Sequence, residues 1–277
     1  MRFRAVRLVA ARELREAARS RWFVLATASF LVLSLGLSFL GLAGAQRSGL
    51  AGFDRTTASL MNLAILFVPL LTLPLGGLAL AGELEDGSLG MLLAQPVTRL
   101  EVYLGKYLGL LGSVAATILA GFGLSGLVVT VTAGGGNAVA FVSLVGILLA
   151  LAAATMALGA LVSVVTRSRA RVVGAAFTLW LLLVYVSDLG TIGLALARNL
   201  RPHQIVLLTL LNPVAEARIL GTLALSRRLD ILGPAGVWCL DQFGLAGTAS
   251  LFLGSLAATT AALLALGQGV FRKTVIA

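Results

Sequence analysis

The chain has 277 residues, 59% hydrophobic and 12% charged, with 21 Lys and Arg against 11 Asp and Glu for a formal charge of +10. So much apolar surface cannot be hidden in a soluble core of this size, so composition excludes a water-soluble domain and indicates an integral membrane protein. The positive charge is no nucleic-acid signal, because aromatic residues do not interleave with it. Seven of its sources (Arg2, Arg4, Arg7, Arg12, Arg15, Arg19, Arg21) precede the first long apolar run and suit the anionic headgroups of a bilayer.

Residues 3–21 read as an amphipathic helix lying in the membrane interface. Phe3, Val6, Ala10, Leu14 and Ala17 recur at steps of three and four, while Arg4, Arg12, Arg15 and Arg19 point elsewhere. The run that follows, about 22–42, has the length of a first transmembrane helix anchored by Trp22, and its basic prelude is too long for a cleaved signal peptide. A loop with Gln46, Arg47, Asp54 and Arg55 leads to a second span, about 59–80, where Pro69 and Pro74 each remove a backbone donor and predict a kink.

Residues 81–106 must lie in water. Glu83, Glu85, Asp86 and Glu101 are four of the 11 acidic residues in the chain. After Gly87, the apolar run Leu89, Met91, Leu92, Leu93 suffices for a short helix, and Pro96 stops it. Thr98 and Glu101 have the T-x-x-E spacing of a capping box, so the next helix should start there. A polar loop bearing a short helix with an apolar face is suited to the grip of a soluble partner.

No charged residue occurs between Tyr107 and Thr166, a stretch too long for one span. Two helices, about 107–131 and 138–165, are therefore expected on either side of a turn at 132–137. Gly105 and Gly109, Ala116 and Ala120, and Gly121 and Ser125 stand four residues apart and predict helix-packing seams. Arg167, Arg169 and Arg171 form a compact basic turn before a fifth span, about 172–189, that ends near Asp188.

The segment 190–244 is apolar but interrupted by Pro202, Pro213 and Pro234. Asn212 and Pro213 start a helix as N-cap and first helical residue, and Glu216 suits its first turn. Residues 213–225 are expected to lie on the outer membrane surface, with Asn212, Pro213, Glu216, Arg218 and Leu220 as a platform for a periplasmic partner. A re-entrant lid is the other reading. The sixth span, about 245–270, is closed by Arg272 and Lys273. Placing both termini inside puts 14 of the 21 basic residues on the cytoplasmic side, which sets the orientation.

No nucleotide-binding, metalloprotease or hydrolase motif is present, so the energy for any work must come from elsewhere. Charges missing from the span interiors argue against an ion-coupled carrier. Met61, Met91 and Met156 are scattered, Cys239 is alone, and His203 reads as an interfacial residue, so no metal site is expected.

From Gly82 to Lys106 the order is acidic pair, Gly-x-Leu, Leu-Leu, Pro, then Lys before a membrane helix. It resembles the first cytoplasmic loop of ABC-2-type transporter permeases. The resemblance takes in Ala11–Trp22 and Leu211–Arg218 and covers nearly the whole chain. It implies an all-α integral membrane protein of the bacterial inner membrane, a single domain of six transmembrane helices behind an interfacial helix, with no catalysis of its own. Within the family it points to members serving copper-site maturation of nitrous oxide reductase. The implied partners are a second copy of the chain, two ABC ATPase subunits that hold ATP and Mg, and a periplasmic β-helical protein. The implied ATPase-coupling residues are Glu83, Glu85, Asp86, Gly87, Leu89, Leu92, Leu93 and Pro96, with Arg167 and Arg169 of the basic turn. A general exporter of a lipid, drug or ion and a transport-free membrane scaffold are the alternatives.

Overall fold

Helices make up the described part of the chain, which in this computed structural model is residues 3–48, 52–94, 97–133, 138–190, 193, 201–226 and 234–274. They are α1 (Phe3–Arg19), α2 (Arg21–Ser48), α3 (Gly52–Glu85), α4 (Ser88–Leu93), α5 (Arg99–Ala133), α6 (Ala138–Thr166), α7 (Arg169–Leu181, continued by a π-helical turn Leu182–Val186), α8 (Pro202–Thr209), α9 (Pro213–Ser226) and α10 (Pro234–Thr274). Six stretches are long and apolar enough to cross a bilayer: Arg21–Gly41, Thr56–Glu85, Arg99–Val128, Val139–Thr166, Arg169–Gly190 and Ala235–Lys273. Val32, Leu40, Leu127, Val142 and Leu189 stand exposed on their outward faces, where lipid tails are their solvent. The all-α, six-span architecture expected from composition is the one observed.

Lipid offers helices no hydrophobic reason to associate, so close packing and hydrogen bonds hold the bundle. Its centre is the crossing of α3 and α6. A Cβ on Gly76 would lie 2.5 Å from the Met156 carbonyl oxygen, and one on Gly159 would lie 2.5 Å from that of Leu73. The Thr72 and Thr155 hydroxyls meet at 2.7 Å, and Ser163 Oγ accepts the Leu80 and Ala81 N–H groups at 3.1 and 2.7 Å. This seam of Thr155, Gly159 and Ser163 is not among those read from the sequence. Of the ones that were, Gly105 and Gly109 face α1 and Gly121 abuts Phe30, whereas Ala116 and Ala120 are exposed. Pro69 and Pro74 lie within one uninterrupted helix.

α1 packs on α5 through Val6, Glu13 and Ala17, so two members of its apolar stripe are covered by protein while Phe3 and Leu14 stay exposed on its surface. The glycines at 105 and 109 draw it down until a Cβ on Gly109 would lie 2.5 Å from the Ala10 carbonyl oxygen. The capping box forms as read, with Thr98 N–H on Glu101 Oε2 at 2.9 Å and Glu101 N–H on Thr98 Oγ1 at 3.3 Å. It starts α5 at Arg99, so Lys106 sits on the membrane helix itself and is 3% exposed.

One expectation is corrected here: α9 is not laid on the surface. It is bent 113° from α8, as in a broken span or a re-entrant loop, and this hairpin packs its second arm among α3, α6 and α10. Asn212 caps it as expected, accepting the Val214 N–H at 2.9 Å. The helix has no polar stripe to offer water, and its charged residues, Glu216 and Arg218, both find partners within the protein. α10 breaks at Gly244 (φ 66, ψ −179), a backbone conformation that glycine adopts without penalty. The stub before that break brings Trp238 against His203 of α8, and the long arm after it runs on to Thr274. The expected turn residues 134–137 and 233 lie outside the described residues, as does Pro96.

Candidate functional site

At one end of the bundle, the turn after α3 meets the turn between α6 and α7. Gly87 takes φ 70, which lets the chain reverse into α4. Arg167 takes φ 54 and donates its N–H to the Ser163 carbonyl at 3.2 Å, an αL cap on α6. Ser168, at the N-cap of α7, makes no side-chain cap. Glu85 supplies it instead, its Oε2 accepting the Arg169 N–H at 2.6 Å, where a carboxylate also complements the helix dipole. Asp86 pairs with the Arg169 guanidinium. Both side chains are about half exposed, so the pair contributes at most about 1 kcal/mol and acts chiefly as a mechanical link.

The acidic cluster is split. Glu83 turns inward to Lys106 Nζ at 3.0 Å, and the same ammonium holds Glu13 Oε1 of α1 at 2.6 Å. One lysine thus ties α1, α3 and α5 together. Burial pushes the Glu13 carboxyl above its ordinary range, against the pull of Lys106.

Leu89, expected to anchor a partner, is buried against its own chain with Leu80, Val102, Tyr103, Val164 and Phe271. Among the described side chains of α4, the exposed apolar one is Met91, 74% accessible; it was read as part of the apolar run but not as a coupling residue. The Leu92 and Leu93 side chains lie outside the described residues.

At the opposite end, the π-helical turn of α7 meets the hairpin. Asn212 Nδ2 donates to the Leu183 carbonyl at 2.7 Å and to Ser187 Oγ. Arg218 pairs with Asp188, and Glu216 Oε1 accepts the Ser255 hydroxyl at 2.6 Å. Asn212, Pro213, Glu216 and Leu220 are buried, and Arg218 is half-buried. The residues expected to form a platform thus fasten the hairpin to α7 and α10. The exposed residues of the hairpin are His203, Gln204, Leu207 and Leu211. His203 sits beside Trp238, ring centres 6.3 Å apart, and among the described residues no three His, Cys, Asp or Glu side chains gather to hold a metal.

A family model described as "ABC-2 family transporter protein" matches residues 7–274. A "Probable ABC transporter permease protein NosY" from Pseudomonas aeruginosa is 31% identical over 271 residues, covering 96% of this chain and 97% of the relative. A protein of the same description from Stutzerimonas stutzeri is 30% identical over 224 residues, covering 76% and 79%.

Proposed function

The chain belongs to the ABC-2 family of transporter proteins, and from that premise we propose that it is a NosY-like permease subunit coupling a partner ATPase on one side of the bacterial inner membrane to a periplasmic protein on the other. It works as a homodimer with two NosF-like ATPase subunits, which carry the ATP and Mg, and a NosD-like β-helical protein on the outer face. Both termini are cytoplasmic. The complex serves copper-centre maturation of nitrous oxide reductase.

What carries this reading is that one membrane helix is tied at both ends. The span Arg169–Gly190 has 22 residues, about 33 Å at 1.5 Å per residue, enough to cross the hydrocarbon core. Its first residue is held by Glu85 and Asp86 beside α4, and its last turn is held to the hairpin through Asp188–Arg218 and Asn212. ATPase closure that displaces α4, through Met91, Leu92 and Leu93, moves Arg169. α7 then passes the displacement to Asn212 and Arg218, and the exposed residues of α8 present it to the outer partner.

Charge exchange tests the link. Asp86→Arg or Arg169→Asp alone should lower ATPase stimulation in the reconstituted complex, and the double exchange should restore it in part. Single variants with wild-type stimulation would overturn the relay. Loss of the chain should leave nitrous oxide reductase short of copper; a fully metallated enzyme would overturn the assignment and favour a general exporter.

A further inference from the structure

Glu216 is a carboxyl group to which the relay gives no part. It is 0% exposed. Its Oε1 accepts the Ser255 hydroxyl at 2.6 Å, and its Oε2 is buried with no hydrogen-bond partner among the described residues. Ser255 marks the depth, because it stands on the long arm of α10 about 16 Å beyond the Gly244 break and about 24 Å before Phe271, at 1.5 Å per residue. An ionisable side chain held so far from either end of a span is costly and rarely idle.

Among the described residues no cation reaches it. Glu13 and Glu83 share Lys106 and Asp188 has Arg218, but Glu216 is in no described ion pair. α9 packs against α3, α6, α8, α10 and the π-helical turn. Of these, α6 has no ionisable side chain, and the described charges of α3, Glu83 and Glu85, stand at its far end. The π-helical turn brings Tyr185, which is 44% exposed, and Asp188 just beyond it, which Arg218 takes. α8 brings the exposed His203; α10 brings Cys239 and the exposed Asp241 before its break, and Arg272 and Lys273 at its other end. The first turn of α9 favours a negative charge, but by a fraction of what removing a carboxylate from water costs. The neutral acid is therefore the form these surroundings accept.

We propose that Glu216 is a proton-binding site within the membrane: the seated hairpin holds it as the neutral acid, and it gives the proton to water when α9 draws away from α10. Each swing of the hairpin then releases or takes up one proton. Below the ordinary carboxylate range both arrangements are protonated, and pH has no hold on the hairpin. Above that range the open arrangement sheds the proton, so opening gains as pH rises. This goes beyond the coupling proposed above and is measured on this chain without any ATPase, so either can fail alone.

The test is infrared difference spectroscopy and hydrogen exchange on the full-length chain in detergent, from pH 5 to pH 8. At pH 6, wild type minus Glu216→Gln should show the C=O stretch of one protonated carboxyl, and Ser255→Ala should shift that band by removing its hydrogen bond. Exchange over residues 213–225, read as the ratio of wild type to Glu216→Gln, should climb by up to about tenfold per pH unit, the slope of one proton. The same ratio over α2 should stay level. A carboxylate in place of the acid at pH 6, a ratio flat with pH, or one that climbs equally over α2 would overturn the proposal. Should Glu216→Gln lose its fold by circular dichroism, two wild-type readings decide: the band must move in Ser255→Ala, and exchange over 213–225 must rise more steeply with pH than over α2.

Discussion

Lys106 shows how one charge can organise a membrane protein. Replacing it by Met leaves two buried carboxylates facing each other, a loss of about 3–5 kcal/mol. Glu13→Gln keeps Glu83 with its lysine and should cost far less, so thermal unfolding in detergent should rank the two variants in that order. The pH dependence carries a definite sign. Burial raises the Glu13 carboxyl above its ordinary value, so the folded chain keeps a proton there that the unfolded chain would release. Its contribution is fully present below the ordinary carboxylate range and is lost as pH rises through the raised value. Unfolding midpoints between pH 4 and pH 8, read as wild type minus Glu13→Gln, should therefore fall with pH; a flat difference would remove burial of Glu13 as the cause. Neither carboxylate betrays this role in the sequence, because Glu13 and Lys106 are 93 positions apart and a buried charge pair has no local pattern.

At the scale of elements, local signals were legible and partners were not. The T-x-x-E box, the Asn-Pro helix start and the short helix after Gly87 all form where their residues stand, because caps and turns are decided within a few positions. Which face each helix buries depends on what crosses it, so Leu89 and Leu220, expected at partner surfaces, are buried within the chain. Leu89→Ala should cost about 2–5 kcal/mol of stability, measurable as a lowered unfolding midpoint. Met91→Ala should leave the midpoint unchanged and weaken retention of the ATPase in a pull-down. The hairpin lock makes a separate prediction. Asn212→Ala removes the donor shared by the Leu183 carbonyl and Ser187 Oγ, together with the cap on the Val214 N–H; the carbonyl keeps the Ser187 hydroxyl at 3.0 Å, so the loss is about 1–2 kcal/mol. Hydrogen exchange should quicken over residues 183–190 and stay unchanged at the start of α7; equal exchange throughout would mean that the π-helical turn holds itself.

For the whole molecule, the distribution of basic residues gives an expected orientation, with both termini inside, that accessibility can check. Cys239 lies in the expected outer segment but is 2% exposed, so an impermeant thiol reagent should miss it. In a Cys239→Ser background, a cysteine placed at the exposed Gln242 should react from outside intact cells, and one at Ser168 only after the membrane is opened. The reverse pattern would invert the topology. Six spans could be counted from hydropathy because length and apolarity suffice for that; the α3–α6 crossing could not, because small residues four apart occur on several helices and only the three-dimensional packing selects among them.

The shared lysine also has a consequence for how the chain is made. α1 leaves the ribosome 93 residues ahead of Lys106, so at roughly 5–20 residues per second it waits about 5–20 s before its partner helix exists. During that interval it can only rest on the headgroups. When α5 enters the bilayer, its ammonium meets a carboxylate already parked at the surface, and the nascent helix need not carry a naked charge sideways into lipid. A chain synthesised without its first 20 residues should accordingly stall at the fifth helix, retained by the insertion machinery with α2 and α3 already in place.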